Sequence, residues 1–516
     1  MFSGLRHMSR AVTVIRTLAR NDALFPIENA GMPKIFSALI RAGLLAPRKS
    51  SMAQKRPGER LKKALVELGP AFVKLGQALS VRPDLIGDTL ADDLQSLQDR
   101  LPPFDGNVAK QTIEAELNKP AEELFKTFEL EPIAAASIAQ VHRATLPDGR
   151  ELAIKVLRPE IEAAFARDLD LARWTATKIE HARPELRRLR LVEAIDTIIR
   201  SVEIEMDLRF EAAAAEELRE NFIDEPQFSV PTVHWTYTNR RVMATEWINA
   251  TPINELNLAE MRPSDTENIV AVFAKVFFFQ VFRDGFFHAD LHPGNMFVDD
   301  QGVFHAVDFG IMGRLDRHTR EYLAEMLHGF LTGNYRQVAA VHVRAGYVPA
   351  DQSVDEFAQA ARSIAEPILG LPLGEISLAR LLEQLFTITK KFQMEAQPQL
   401  LLLQKTMLVA EGVGRKLCPD VNMWELAKPL IQQWMLERMA PETHIRDTAN
   451  SMLDMFERMP FLIKEVEETL GRASKHGIQV DPTSLQALTG VRRRHWTTGF
   501  WMIAAAIIII VTIVLD

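Results

Sequence analysis

His288-Ala289-Asp290-Leu291-His292-Pro293-Gly294-Asn295, followed eighteen residues after Asp290 by Asp308-Phe309-Gly310, is the stretch on which the reading of this chain turns. Phosphoryl transfer to a hydroxyl needs an acceptor for the hydroxyl proton and oxygen ligands for the magnesium ions that bridge the phosphates. Asp290 suits the first task; Asn295 and Asp308 suit the second. Between them, Phe297-Val298 and Phe304–Val307 are β-like runs around the turn signal Asp300-Gln301-Gly302. Asp-Phe-Gly alone would be an ordinary turn, but H-x-D-x-x-x-x-N, a hairpin and D-F-G in this order form a specific pattern.

Upstream, Leu152-Ala153-Ile154-Lys155 has the form of the strand whose lysine holds the α/β-phosphates in kinases. Ile138–Ala144, the turn Pro147-Asp148-Gly149 and Glu151–Val156 make a hairpin candidate. A lysine on a buried strand needs an acid partner. Candidates are Glu203, Glu205, Asp207 and Glu211; if SVEIEMDLRFEAAAAEE is one helix, Asp207 and Glu211 share a face. The loop before the hairpin departs from a protein kinase. Where glycines would let the backbone approach phosphates, the chain reads Ile133-Ala134-Ala135-Ala136-Ser137-Ile138-Ala139-Gln140. We read it as a modified phosphate loop with less backbone freedom. His288-Ala289-Asp290 lacks an arginine before the aspartate, and no clear Ala-Pro-Glu segment stands at activation-loop distance after Asp308, so control by an activation-loop phosphate is not expected.

The composition frames this reading. A chain of 516 residues with 47% apolar and 25% charged side chains is globular, not disordered, and has room for about two to four domains. A net charge of −8 argues against nucleic acid as a partner. The single cysteine, Cys418, excludes a disulfide framework and a cysteine-built zinc site, and fits a reducing compartment. Residues 51–100 read as helices interrupted at Gly69-Pro70, residues 160–222 are helical, Pro231–Trp235 and Arg241–Glu246 read as strands, and the chain from about residue 265 is mostly helical. Trp496–Leu515 has no charge and about the length that spans a bilayer; Arg492, Arg493 and Arg494 precede it and predict that the bulk of the chain stays cytoplasmic. The N-terminus carries Arg6, Arg10, Arg16 and Arg20 around an apolar face. It reads as a membrane-surface helix, a targeting segment or a helix packed on the domain.

Together with Lys74-Leu75-Gly76-Gln77, Ala134–Ser137, Ala153–Lys155 and Glu205-Met206-Asp207, these motifs resemble the UbiB family of atypical, protein-kinase-like proteins over roughly residues 5–430. The resemblance implies an α+β, bilobal kinase-like fold with an N-terminal helical extension and a C-terminal transmembrane helix. It divides the chain into a helical segment 1–50, a KxGQ extension 51–124, an N-lobe 125–250, a C-lobe 251–430, a helical tail 431–495 and an anchor 496–515. It implies ATP and Mg²⁺ as cofactors, Asp290 as the catalytic base, and Asn295 and Asp308 as metal ligands. Ala134, Ala135, Ala136, Ser137, Ile138 and Ala139 would form the nucleotide loop, with Glu211 as the ion-pair partner of Lys155. Lys74 and Gln77 would point toward the nucleotide pocket near Glu205 and Asp207. The implied activity is a membrane-anchored kinase or ATPase supporting ubiquinone biosynthesis. Its partners would be membrane lipids, isoprenoid quinone precursors and other enzymes of that route. Its place would be the bacterial inner membrane, with the mitochondrial inner membrane as the alternative. Two other readings stay open: a small-molecule phosphotransferase of the aminoglycoside or choline kinase type, and a non-catalytic nucleotide-binding scaffold.

Overall fold

The computed structural model describes residues 2–24, 55–80, 86–95, 97, 102–182, 191–257, 261–367, 388, 391–392, 394, 398–419, 426 and 429–430. The chain divides into two compact units, Met1–Ile431 and Gln432–Asp516, and every described residue belongs to the first. The expected span Trp496–Leu515 and the tail 431–495 lie outside the described residues. Among the described residues no helix is long and apolar enough to cross a membrane.

The helical extension holds α1 (Phe2–Arg20), α2 (Pro57–Leu68), α3 (Pro70–Ser80) and α4 (Asp88–Gln95). Gly69 separates α2 from α3 at a φ of +109°, a backbone conformation that glycine adopts without steric cost. The apolar stripes of these helices close on one another through Leu18, Leu24, Leu61, Leu65, Val73 and Leu94, giving the extension its own core. Gly76 lies where a Cβ would stand 2.5 Å from Leu97 and 2.7 Å from Leu65, so any larger residue would push α3 off its neighbours. Two of the N-terminal arginines are used inside this fold. Arg10 makes two 2.8 Å bonds to the carboxylate of Asp168 and donates to the Leu68 carbonyl, and Arg20 pairs with Glu67. Of the three readings of this helix, the packed one describes the structure.

Two short helices, α5 (Gly106–Leu117) and α6 (Ala121–Leu124), lead into a five-stranded antiparallel sheet. Its path is β1 (Thr127–Phe128), β3 (Ala139–Thr145), β4 (Glu151–Leu157) and β6 (Val242–Glu246), with β2 (Ala134–Ala135) also paired to β3. Side chains alternate along a strand, so Leu152, Ile154 and Val156 enter the core under α5 and α6 while Lys155 stands on the opposite face. Three helices follow the hairpin: α7 (Ile161–Ala182), α8 (Leu191–Glu205) and α9 (Leu208–Asn221). Residues 201–217 are therefore not one helix. The chain breaks at Met206, and Asp207 caps α9 by accepting the Arg209 N–H at 3.1 Å. Pro231–Trp235 is also not a strand. Val233 makes a single bridge to Thr245, flanked by the His234 N–H on the Ala244 carbonyl and the Glu246 N–H on the Thr232 carbonyl, and the 3-10 turn Trp235–Tyr237 ends the pairing there.

The larger lobe is built on α10 (Pro263–Phe278), which continues as a π-helical turn, Phe279–Asp284, and stops at Gly285. Gly285 has a φ of +67°, and a Cβ there would meet the Leu315 carbonyl at 2.6 Å. Two small sheets flank the loops that carry the motifs. One has the order β5 (Phe228–Ser229), β10 (Phe304–Ala306), β9 (Met296–Val298), β7 (Thr251–Pro252); the other pairs β8 (Phe286–His288) with β11 (Met312–Arg314). Helices α11 (Arg317–Leu331), α12 (Tyr335–Arg344) and α13 (Val354–Ala365) pack in series, and α14 (Pro398–Leu417) returns against α10 and β11.

Asp168 is 2% exposed and depends on Arg10, with the more exposed Arg167 as its other cation. Arg10→Ala removes two charge-assisted bonds to a buried carboxylate and is expected to cost about 2–3 kcal/mol, read as a lower midpoint of chemical unfolding in detergent. An unchanged midpoint would show that Arg167 alone satisfies Asp168.

Candidate active site

Lys155 joins the two lobes. Its ammonium donates to Glu211 Oε1 at 2.6 Å and to Asp308 Oδ1 at 2.8 Å. β4 supplies the lysine, the first turn of α9 supplies Glu211, and the loop after β10 supplies Asp308. Burial alone would lower the lysine's proton affinity, but the two carboxylates outweigh it and raise it. Burial pushes the Glu211 carboxyl up, with the lysine opposing and the charge of Asp308 adding to the rise. Asp308 is also penalised by burial, yet the Lys155 ammonium beside it holds it below the ordinary carboxylate range. Its side chain keeps 43% exposure, so it is the carboxylate of the pair that can meet a ligand. Asp308 has a φ of +64°, a left-handed conformation uncommon for any residue but glycine and asparagine-like side chains. That backbone is held by its neighbours: Phe309 is buried against His288 at 5.7 Å between ring centroids.

The 288–295 loop is organised around His288, which is fully buried. The Asp290 N–H donates to His288 Nδ1 at 3.1 Å, so Nε2 carries the proton and donates to the Val307 carbonyl, also at 3.1 Å. Burial lowers the imidazole's proton affinity and keeps it neutral for that double role. The His288 N–H is received by Gln280 Oε1 at 2.8 Å, from inside the π-helical turn. Asn295 Nδ2 donates to the Asp290 carbonyl at 3.2 Å, so Oδ1 is the atom of this amide that would ligate a metal. Among the described residues no three His, Cys, Asp or Glu side chains converge on a protein-only metal site. One amide oxygen and one exposed carboxylate suit Mg²⁺, which takes few protein ligands and completes its shell with phosphate and water oxygens. Asn295 and Asp308 thus fit that ion when it arrives with a nucleotide.

The alanine loop is tight. Ala134 and Ala135 pair with Val141 and Gln140, and the Ala136 N–H reaches back to the Ala139 carbonyl at 2.8 Å. Ser137 and Ala139 are buried and Ile138 is half-buried. Arg158 fastens the turn from behind, with two guanidinium N–H groups on the Ala136 carbonyl at 2.8 and 3.1 Å.

The remaining motif residues are divided. Lys74 on α3 pairs with Glu205 at the end of α8, at 2.8 Å, with both side chains 11% exposed. Asp207 is not with them: it caps α9, pairs with Arg209 at 2.6 Å, and does not share a helical face with Glu211. Gln77 donates to the Leu97 carbonyl at 3.4 Å. One residue escaped the sequence reading. Lys405 on α14 donates to Asp290 Oδ1 at 2.9 Å. Its only sequence signal is a cation set in the apolar run Leu400–Ala410.

This geometry is that of a protein-kinase-like domain, and comparison agrees: the ABC1 atypical kinase-like domain matches residues 96–342 and the UbiB helical domain matches residues 361–422. A protein of Marinobacter nauticus named Probable protein kinase UbiB is 40% identical over 495 residues, 93% of this chain and 89% of the relative. Proteins of the same name from Aliivibrio fischeri and Vibrio vulnificus are 42% and 39% identical, over 82% and 91% of this chain and 78% and 87% of theirs. Among solved structures, the complex of Rv3197 with erythromycin from Mycobacterium tuberculosis aligns with a TM-score of 0.51 at 25% identity, over 68% of this chain and 90% of that one. The chain belongs to the UbiB family.

Glu411, on the same helix as Lys405, is 7% exposed, and its Oε2 has no hydrogen-bond partner among the described residues. Burial pushes this carboxyl up to about 7, with Arg415 opposing. A raised value means the folded chain keeps a proton that the unfolded chain releases, so stability falls as pH rises from 4.5 to about 7. Glu411→Gln is expected to gain stability over wild type progressively across that window and to hold the gain above it. Unfolding midpoints in parallel at about pH 5 and about pH 8 check this; a pH-independent difference would refute it.

Proposed function

We propose that this protein is a membrane-tethered UbiB-type ATPase or atypical kinase that binds Mg-ATP. It would support ubiquinone biosynthesis, the role its family membership implies, by coupling nucleotide turnover to the handling of hydrophobic quinone precursors. The observation that carries the nucleotide reading is Lys155 bridging Glu211 and Asp308, with Asp290 and Asn295 on the adjoining loop. Bound Mg²⁺ would neutralise phosphate charge and orient the terminal phosphoryl group. Lys155 would hold the phosphates nearer the nucleoside, kept in place by Glu211. Asp308 and Asn295 Oδ1 would ligate the metal. Asp290 would accept the proton of a hydroxyl or water as its oxygen bonds to phosphorus. The phosphorus–oxygen bond to the leaving diphosphate breaks with its electron pair remaining on the diphosphate.

The alanine loop supports a restrained version of this chemistry. Its turn is already closed by the Ala136–Ala139 bond and by Arg158, so its N–H groups have little freedom to follow a phosphate. The docked extension counts against an aminoglycoside-kinase-like enzyme, because Lys74 commits α3 to Glu205 beside the site. The tether is proposed from Trp496–Leu515 and the three preceding arginines.

Asp308→Asn replaces a charged metal ligand by a neutral amide oxygen and removes a carboxylate from the Lys155 cluster, and should sharply reduce the thermal stabilisation that wild type gains from Mg-ATP. Asp290→Asn should keep that stabilisation and lose hydrolysis and the ability to restore ubiquinone in a deficient strain. Full restoration by Asp290→Asn would leave the scaffold reading in its place.

Deleting residues 496–516 should move the protein from the membrane fraction to the soluble one, because Arg10 and Arg20 of α1 are committed to Asp168 and Glu67. Retention of the truncated chain on membranes would place the tether elsewhere.

A further inference from the structure

Lys405 comes from the helical domain, 115 residues beyond Asp290, yet its ammonium lies on the carboxylate read as the catalytic base. Its place is set by a packed helix. Leu403, Thr406, Ala410, Val413 and Leu417 form a buried stripe at helical spacing along α14, which lies against α10 and β11. β11 is in turn paired with β8, whose last residue is His288. The helix that carries Lys405 is thus bound to the loop that carries Asp290.

The charge arrangement around the site separates this lysine from the other two. Lys155 already serves two carboxylates, and Lys74 is held by Glu205 with little exposure. Lys405 has 41% exposure and, among the described residues, Asp290 as its one acceptor. An ammonium has three N–H donors, so two remain. On the other side of the pair, Asp290 Oδ1 is taken and Oδ2 is left for a proton. On the nucleotide reading, Asp290 on one side and Asn295 and Asp308 as metal ligands on the other would bracket the path of the terminal phosphoryl group. A cation with unused donors at that end would meet the negative charge that the transfer concentrates there.

We propose that Lys405 is a catalytic residue of this site, holding the terminal phosphoryl group of a nucleoside triphosphate beside Asp290. The proposal rests on the nucleotide reading above. In the transfer, Asp290 Oδ2 takes the acceptor's proton as the acceptor oxygen bonds to phosphorus, and the bond to the diphosphate breaks with its electrons on the diphosphate. Lys405 stays protonated throughout and keeps its remaining N–H groups on the phosphoryl oxygens. The helical domain would then complete an active site whose other residues come from the kinase-like domain.

The test is binding of Mg-ATP and Mg-ADP to the full-length protein in detergent, by displacement of a fluorescent nucleotide, for wild type, Lys405→Ala and Lys405→Arg. Lys405→Ala should weaken Mg-ATP about tenfold and leave Mg-ADP within about twofold, because only the triphosphate reaches the lysine. Lys405→Arg should recover most of the loss, which a purely packing role would not predict. Lys405→Met, which keeps the apolar stem, serves if the alanine variant does not fold. Equal weakening of both nucleotides, unchanged Mg-ATP affinity, or tighter Mg-ATP binding would each overturn the proposal; the last would make Lys405 a guard of Asp290. Wild type that binds neither nucleotide would overturn the nucleotide reading itself, a result distinct from any of these.

Discussion

A single ammonium, that of Lys155, lies between carboxylates delivered by a helix and by a loop of the other lobe. Each of the three groups would be costly to bury alone. Removing one partner of such a buried cluster typically costs about 3–5 kcal/mol, because the charge left behind has lost its counterion. The antiparallel sheet, the start of α9 and the loop after β10 are therefore positioned with respect to one another by charge as well as by packing. Asp308 sits in a left-handed backbone conformation within that cluster, and the buried pair Phe309 and His288 carries the constraint into the loop that presents Asp290.

The site is fastened from outside as much as from within. The π-helical turn brings Gln280 to the His288 N–H, which a regular helix ending at the same place would aim elsewhere. Arg158 closes the alanine turn through its carbonyl, so the loop's stiffness comes from a residue beyond the hairpin as well as from its missing glycines. The Lys74–Glu205 pair ties the helical extension to the end of α8, and Gly76 lets α3 pack closely on Leu65 of α2 and on Leu97. Helical extension, kinase-like domain and helical domain each place a lysine on a carboxylate of this region: Lys74 on Glu205, Lys155 on Glu211 and Asp308, and Lys405 on Asp290.

Much of the architecture was legible because it is local. The hairpin from Ala139 to Leu157 follows from alternating apolar residues around Pro147-Asp148-Gly149, and the break between α2 and α3 from Gly69-Pro70. The 296–306 hairpin reads from two apolar runs around Asp300-Gln301-Gly302. Motif spacing identified Asp290, Asn295 and Asp308 as a set because they lie on one short stretch of chain. Pro231–Trp235 misled because a β-prone composition does not fix the length of the pairing: the segment meets β6 at Val233 alone before it turns.

What the amino-acid sequence determined by itself was which side chains suited to phosphate, metal and proton chemistry the chain offers, and many of the local elements that present them. Which of them meet was decided only by the tertiary structure. Spacing puts Asp207 and Glu211 on one face only if a helix runs through both, but the helix starts at Leu208: Asp207, with extended backbone, caps α9, and Glu211 in its first turn reaches Lys155. Lys405 and Asp290 meet across 115 residues for a similar reason. Periodicity encodes which face of a helix is apolar, but the packing of α14 on α10 and β11 decides what the residue beside that face will touch.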